Sequence, residues 1–206
     1  MLKLLAATGN KHKIEEFKSL LSGFNVKVQL ITPDSMENFP ETVEDGETFE
    51  QNAEKKACEA SAFADLAAFA DDSGLVVDAL NGEPGVRSAR YAGEGASNEE
   101  RMAKLLKNLE GVANRKAKFV SVIALAYRGE MVRSFRGEVF GRIIDTPRGS
   151  FGFGYDPVFV PDGYDKTFAE LGPDVKDRIS HRAIAMQKAA DFIKQELASM
   201  DDLEFE

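Results

Sequence analysis

The 206-residue sequence has a single cysteine, Cys58, so no disulfide can form within the chain. It has no apolar run long enough to span a membrane and no N-terminal apolar region of the signal-peptide type. These absences exclude the disulfide-stabilised and membrane-spanning classes of protein. We therefore expect a cytoplasmic protein with no membrane partner.

Positive charge is also scarce, because 26 Lys and Arg residues face 35 Asp and Glu residues, for a net charge of −9. Nucleic acids and anionic membranes attract basic surfaces, so this balance argues against both as partners. The net negative charge is still compatible with a small anionic substrate if the binding site is locally basic or holds a metal ion. An apolar content of 43% is typical of a globular protein, and the length predicts one domain, or two closely joined lobes.

Two common nucleotide-binding motifs are missing. No Gly-x-x-x-x-Gly-Lys-Ser/Thr run occurs, which argues against a P-loop NTPase. The glycine-rich stretch near Gly152 lacks the spacing and the preceding βα unit of a dinucleotide-binding fold.

The most unusual stretch is Asp71-Asp72-Ser73-Gly74, which separates the apolar runs 66–70 and 75–77. These runs predict two buried strands joined by a polar turn. Adjacent carboxylates repel each other and burial disfavours their charged forms, whereas a divalent cation reverses both effects. The stretch therefore predicts a hard-metal site with a carboxylate base, or else an ordinary capped turn.

The N-terminus predicts a strand over 2–7, a glycine turn, and a helix over 11–21. Free N–H groups and the helix dipole make such a helix start an anion site. Thr8 and Asn10 add hydrogen-bonding side chains and Lys13 adds a charge, although Thr8 or Asn10 could simply cap the helix.

An acidic loop, residues 33–46, precedes a helix predicted over 48–65. A carboxylate of this loop could complete a metal shell, and either Lys55 or Lys56 on the helix could reach a phosphate. The alternatives are a solvated loop and a surface lysine. Farther on, 116–127 and 131–140 predict a hairpin turning at Arg128-Gly129, placed in the centre of a mixed sheet or in a second lobe.

Two later stretches suggest a place for a planar ring. Residues 148–157 alternate glycines with aromatic side chains, which suit base stacking, although the rings could equally pack in the core. His181 stands at the predicted start of the last helix, where its cationic form is disfavoured. With Ser180 and Arg182 it forms a cluster suited to a polar ring or a phosphate, unless this is only a solvated helix start.

Five stretches in this order make a specific pattern: Thr8-Gly9-Asn10-x-x-Lys13, Asp71-Asp72-Ser73-Gly74-Leu75, Gly82-x-Pro84-Gly85-x-x-Ser88-Ala89-Arg90-Tyr91, Phe153-Gly154-Tyr155-Asp156-Pro157 and Ser180-His181-Arg182. In them the chain resembles the inosine triphosphate pyrophosphatase family, also called the HAM1 or RdgB family. The resemblance implies a mixed α/β fold with a long twisted central sheet flanked by helices, and two lobes with the active cleft between them. It also implies a homodimer that uses Mg²⁺ to hydrolyse ITP, dITP and XTP to the monophosphate and pyrophosphate, cleansing the nucleotide pool.

The resemblance also implies roles for individual residues. Asp72 would be the catalytic carboxylate and a metal ligand, supported by Asp71, with Glu44 as the second ligand and Glu41 or Asp45 as alternatives to Glu44. Thr8, Asn10 and Lys13 would hold the triphosphate with help from Lys56, and Gly9, Lys11 and His12 would also bind the substrate. The residues that would bind the rest of the substrate are Ser73, Phe153, Gly154, Tyr155, Asp156, Lys176, Ser180, His181 and Arg182.

One departure concerns Phe151-Gly152, where the family often has two glycines before the position of Phe153. The Phe151 ring either narrows the pocket or packs outside it. Two rival functions are a Maf-like pyrophosphatase of ordinary nucleotides, which the Ser180-His181-Arg182 cluster disfavours, and a nucleotide sensor without catalysis, which the retained carboxylates disfavour.

Overall fold

The computed structural model describes residues 2–24, 26 and 28–203, with side chains over 3–24, 26 and 28–196. Its strands are β1 (Leu2–Ala6), β2 (Val28–Ile31), β3 (Ala67–Val77), β4 (Lys116–Tyr127), β5 (Glu130–Ile143) and β6 (Phe159–Pro161). Its helices are α1 (Lys11–Gly23), α2 (Phe49–Ala64), α3 (Asn98–Asn108), α4 (Phe168–Leu171), α5 (Pro173–Ile179) and α6 (His181–Leu203). Over these residues no helix is both long and apolar enough to cross a membrane.

The six strands form one mixed sheet in the order β2-β1-β3-β4-β5-β6. Strands β2, β1 and β3 are parallel, whereas β3 through β6 pair antiparallel. Apolar side chains alternate along the strands, so α1 and α6 cover one face and α2 covers the other. The predicted mixed α/β class with a long central sheet flanked by helices is confirmed, while its division into two lobes stays a prediction.

Local signals placed most elements correctly. Thr48 and Ser97 each begin a helix with a reciprocal capping box, to Gln51 and Glu100 respectively. The hairpin between β4 and β5 turns at Arg128-Gly129, whose positive φ angles of 50° and 83° suit a two-residue turn. The alternation over 25–32 also predicts a strand, which is observed as β2 at Val28–Ile31, and positions 25 and 27 lie outside the described residues.

The predicted turn at 71–74 is wrong, because this stretch lies inside β3. All eleven residues of β3 pair with β4, from Ala67 opposite Tyr127 to Val77 opposite Ala117. Side chains alternate across a strand, so Asp71 and Asp72 point to opposite faces of the sheet. The two carboxylates therefore do not share one metal site.

Strand β1 is much shorter than its neighbour β3. It pairs with β3 only from Leu4 opposite Ala67 to Ala6 opposite Phe69, and then leads into α1. Beyond this point the backbone of β3 is free of β1, and the carbonyl of Asp71 accepts hydrogen bonds from lysine side chains instead. An opening at the carboxyl end of a parallel strand and the start of a helix is a common ligand site in α/β folds.

Candidate active site

A cavity of about 1130 Å³ opens beside the end of β1. Most of the predicted site residues line it: Thr8, Gly9, Asn10, His12, Lys13, Glu44, Lys56, Asp72, Ser73, Phe153, Gly154, Tyr155, Asp156, Lys176, His181 and Arg182. Lys11, Asp71 and Ser180 were also predicted, but they do not line the cavity. Lys11 is exposed, whereas Asp71 and Ser180 are buried behind the cavity wall.

The start of α1 forms one end of this cavity. Asn10 caps the helix, since its Oδ1 accepts hydrogen bonds from the backbone N–H groups of His12 and Lys13 at 3.0 and 3.3 Å. Thr8 Oγ1 accepts from the N–H of Asn10 at 3.2 Å. The capping alternative is thus correct for Asn10, and it fixes a helix N-terminus that faces the cavity.

Asp71 is the centre of a buried network behind the cavity wall. Its carboxylate lies 2.6 Å from Lys13 Nζ and 3.5 Å from Arg182 Nη2. It also accepts hydrogen bonds from the hydroxyls of Ser121 at 2.6 Å and Ser73 at 3.0 Å. Burial disfavours its charged form, but Lys13 and Arg182 outweigh that effect and hold the pKa of Asp71 far below its usual value. Asp71 is therefore a fixed anion that positions its neighbours.

Asp72 has the opposite character. Its side chain turns towards α2, where Asn52 Nδ2 donates to Asp72 Oδ2 at 3.0 Å and Lys56 Nζ lies 4.0 Å from Oδ1. Burial is the main cause that raises the pKa of Asp72 to about 6; Lys56 opposes this and Glu44 adds to it. A carboxylate with a pKa near neutrality, lining a cavity, suits a general base.

Glu44 approaches Asp72 from the acidic loop. Its Oε1 lies 2.6 Å from Lys56 Nζ and its Oε2 lies 3.7 Å from Arg90 Nη1. Burial raises the pKa of Glu44, but Lys56 outweighs it and the net pKa is lowered. Of the alternatives, Asp45 is exposed, pairs with Lys55 at 2.8 Å and does not line the cavity. Glu41 lines the cavity but is exposed.

The Lys56 ammonium shows that Glu44 and Asp72 together form a place for a cation. It contacts Glu44 directly and lies 4.0 Å from Asp72. Among the described residues there is no group of three or more Asp, Glu, His or Cys able to enclose a metal. Mg²⁺ is commonly held by only one or two carboxylates together with substrate phosphates and water. The donor set of Glu44 and Asp72 therefore fits Mg²⁺ shared with a polyphosphate.

The glycine-rich stretch brings Phe153 to the cavity, beside His12 in the first turn of α1. It lies between Gly152 and Gly154, whose φ angles of 78° and 64° most side chains avoid. Its ring stacks on His12 with 5.3 Å between centroids, and Lys176 Nζ lies 4.6 Å from its centroid. This end of the cavity thus contains an aromatic ring, Phe153, beside the cationic side chain of Lys176.

The donors at this end are already engaged with acids. Lys176 Nζ lies 2.7 Å from Asp156 Oδ2 and 2.8 Å from Glu16 Oε1. Arg182 pairs with Glu16 and donates to Ser73 Oγ at 2.8 Å. Arg182 is 2% exposed, and it braces Asp71 and Ser73 as well as lining the cavity.

The start of α6 is not solvated, so that alternative is wrong. His181 is 4% exposed and stacks on Phe119 with centroids 4.8 Å apart. Ser180 Oγ accepts from the N–H of Ala183, as an N-cap does. Burial, followed by the charge of Arg182, lowers the pKa of His181 well below its usual value. The neutral ring can therefore both donate and accept hydrogen bonds.

The bulky Phe151 packs outside the main cavity. Its side chain is 55% exposed and does not line the large cavity, although it borders a neighbouring one of about 230 Å³. Of the two alternatives for the Phe151 ring, packing on the outside is the one observed.

Sequence reasoning missed Glu16, Asn52, Ser121 and the contact between Arg90 and Glu44. Signals for three of them existed. Glu16 follows Lys13 by three positions and so shares its face of α1. Asn52 interrupts the alanine-rich face of α2, and Ser121 interrupts the apolar interior of β4. Buried polar residues of this kind need partners, which here are the carboxylates of the site.

Comparison with known proteins identifies the family of the chain. Residues 4–192 match the model of the Ham1 family. The chain belongs to the Ham1 family. A protein named dITP/XTP pyrophosphatase from Lactobacillus acidophilus is 49% identical to this chain, over 87% of this chain and 91% of the relative. One of the same name from Geobacter sulfurreducens is 47% identical, over 94% of this chain and 97% of the relative. The structure of a HAM1 protein from Coxiella burnetii superimposes with a TM-score of 0.87 at 38% identity, covering 95% of this chain and all of that one.

The Ham1 assignment confirms the predicted family, and its named relatives are nucleoside-triphosphate pyrophosphatases, the predicted enzyme class. The Ham1 protein of Staphylococcus aureus also superimposes, with a TM-score of 0.84 at 39% identity over 94% of this chain and 99% of that one.

Proposed function

We propose that this Ham1 protein hydrolyses dITP, XTP and ITP to the nucleoside monophosphate and pyrophosphate. In this reaction water adds across the anhydride between the α- and β-phosphates. The observation that carries the proposal is one cavity that joins a helix N-terminus, lysines and two carboxylates to an aromatic, hydrogen-bonding end. Relatives named dITP/XTP pyrophosphatase, at up to 49% identity, support the same substrates.

We assign the triphosphate to the α1 end of the cavity. The N–H groups at the start of α1 and the charges of Lys13 and Lys56 suit an anion. Lys13 and Lys56 are now held against Asp71, and Lys56 also contacts Glu44. These contacts keep the ammonium groups in place before a phosphate arrives, which reduces the cost of ordering them on binding.

We assign Asp72 as the proton acceptor for the attacking water, on the support of its raised pKa and its hydrogen bond from Asn52. Glu44 and Asp72 would hold the Mg²⁺ together with the substrate. When bound, Mg²⁺ neutralises phosphate charge and lowers the pKa of a coordinated water. Asp71 keeps Lys13, Ser73 and Arg182 in position and does not itself take the proton.

We assign the purine to the end formed by Phe153, Lys176 and His181. Stacking on an aromatic ring stabilises a base by about 1–3 kcal/mol. A lysine donates only, so it suits the 6-oxo group of inosine or xanthosine and leaves the 6-amino group of adenine unpaired. A homodimer, implied by the family resemblance, and a cytoplasmic location, expected from the sequence, complete the proposal.

A product assay tests the function. The purified protein with Mg²⁺ receives dITP, XTP, ITP, GTP and ATP separately, and pyrophosphate and orthophosphate are both quantified. We expect pyrophosphate from the first three and little from GTP or ATP. Orthophosphate as the first product would place cleavage at the γ-phosphate and contradict the proposal. Binding of nucleotides without any turnover would favour the sensor function instead.

Replacing Lys13 with alanine should raise the KM for dITP roughly tenfold, because a charge-assisted contact to phosphate contributes about 1.5–3 kcal/mol. The matched control is Lys11→Ala, two residues earlier on the exposed side of α1, which should change the KM less than twofold. Steady-state kinetics at saturating Mg²⁺ measure both. Equal KM values for the two variants would remove Lys13 from the phosphate site.

A further inference from the structure

Asn52 is a buried polar residue on α2 that does not itself line the active-site cavity. It is 1% exposed and its nearest neighbours along the helix face are Phe49 and Ala53, both buried. An amide in such a place must have its hydrogen bonds satisfied by protein groups. Its partners therefore show why it is there.

The Asn52 amide joins two segments of the active site. Its Nδ2 donates to Asp72 Oδ2 at 3.0 Å, and its Oδ1 accepts from the backbone N–H of Gly46 at 2.8 Å. The orientation follows from chemistry, because a carboxylate needs the amide nitrogen and a backbone N–H needs the amide oxygen. One side chain thus holds both the strand with Asp72 and the acidic loop.

The acidic loop comes unusually close to Asn52 at Gly46. A Cβ on Gly46 would lie 2.7 Å from Asn52 Oδ1, so only glycine fits there without a shift. Gly46 is two residues beyond Glu44. Apart from a short 3-10 turn at Pro33–Ser35, the described loop has neither helix nor strand, so side-chain contacts must fix its path.

We propose that Asn52 is a positioning residue that sets the distance and orientation between the carboxylates of Asp72 and Glu44. The inference rests on the proposed function, in which these two residues hold Mg²⁺. Two carboxylates on separate segments bind a small cation well only when their separation is fixed in advance. The amide does this by fixing one oxygen of Asp72 and the loop backbone beside Glu44 together.

Two variants separate the two hydrogen bonds of Asn52. Asn52→Asp keeps an oxygen for the Gly46 N–H but places a second carboxyl group beside Asp72, so the two acids repel or share a proton. Asn52→Leu keeps the approximate volume and loses both contacts without adding a charge. The matched control is Lys55→Ala. Lys55 also holds the acidic loop, through Val43 O at 2.9 Å and Asp45 at 2.8 Å, but it does not contact Asp72.

Three measurements are made on each variant: kcat and KM for dITP, the Mg²⁺ concentration that gives the half-maximal rate, and the rise in Tm on adding Mg²⁺ alone. For both Asn52 variants we expect kcat to fall at least tenfold, KM to change less than threefold, and the half-maximal Mg²⁺ concentration to rise at least fivefold. The Mg²⁺-induced rise in Tm should shrink as well. Lys55→Ala should stay within twofold of the unmodified protein in every kinetic value.

Hydrogen exchange at Gly46 gives a reading that does not depend on turnover. The Gly46 amide should stay protected in Asn52→Asp and lose protection in Asn52→Leu. Should Asn52→Leu fail to fold, Asn52→Ala, which also loses both contacts without adding a charge, decides the question. An Asn52→Asp protein with unchanged kcat and Mg²⁺ response would overturn the proposal.

The outcome is distinguishable from a failure of the proposed function. If the unmodified protein releases no pyrophosphate from dITP, the function is wrong, yet the Mg²⁺-induced rise in Tm and the Gly46 exchange still test the role of Asn52. If the unmodified protein is active and the Asn52 variants match it in all readouts, the function stands and the inference is wrong.

Discussion

Asp72→Asn is expected to abolish turnover, by at least a thousandfold in kcat, and at the same time to stabilise the metal-free protein. The first effect follows because an amide can neither accept the proton of the attacking water nor balance the charge of Mg²⁺. The second follows because burial makes the charged form of Asp72 costly in the folded state. The burial that raises the pKa of Asp72 and suits it to catalysis thus also lowers the free energy of unfolding.

The size and sign of the stability change follow from the pKa of Asp72. Its rise from the usual 3.8 to about 6 corresponds to about 3 kcal/mol at most, at about 1.4 kcal/mol per pKa unit. The contribution of a carboxyl with a raised pKa is complete below pH 3.8 and is lost as pH rises through about 6. Asp72→Asn should therefore match the unmodified protein near pH 4 and exceed it at pH 8.

Thermal unfolding at pH 4 and pH 8, without and with Mg²⁺, measures this effect. For a chain of this length 1 kcal/mol shifts Tm by about 2–4 °C, so the gain in Tm for Asp72→Asn at pH 8 without Mg²⁺ should reach at most about 6–12 °C. Mg²⁺ should stabilise the unmodified protein and not the variant. A variant that is less stable at pH 8, or that turns over dITP at the normal rate, would contradict the assignment of Asp72.

The sequence predicted the strands and helices around this site better than the middle of β3, which carries Asp71 and Asp72. The strand, glycine turn and helix at Leu2–Gly23, and the later hairpin, carry local signals such as apolar periodicity, a capping residue and a two-residue turn. The fold class followed from these signals together with the family resemblance. Each signal depends on residues that are neighbours in sequence.

The secondary structure of residues 71–74 was predicted wrongly because their residue types are unusual for a strand. Asp, Ser and Gly are typical of turns, yet Asp71–Gly74 continue β3 with full pairing to β4. What stabilises them is distant in sequence: Ser121 and Arg182 for Asp71, and Asn52 for Asp72. A single sequence does not show such contacts, and local rules commonly fail at functional sites for this reason.

Asp71→Asn is expected to destabilise the protein, whereas Asp72→Asn is expected to stabilise it. The Asp71→Asn change should lower the free energy of unfolding by about 3–5 kcal/mol, because it leaves the half-buried Lys13 and the buried Arg182 without the anion they share. The contribution of a carboxyl with a lowered pKa is present above its unfolded pKa and is lost only as pH falls through the folded value. The loss should therefore be complete at pH 7.

Urea unfolding at pH 7 measures this loss, and two further variants identify its cause. Ser121→Ala removes one hydrogen bond to Asp71 without changing a charge, so it should cost only about 1 kcal/mol. The double variant Asp71→Asn with Lys13→Met should lose less than the two single changes added together, since the second change removes a cation that the first left unpaired. An Asp71→Asn protein as stable as the unmodified one would mean that Lys13 and Arg182 find other partners, and Asp71 would then not be the anion that holds the site together.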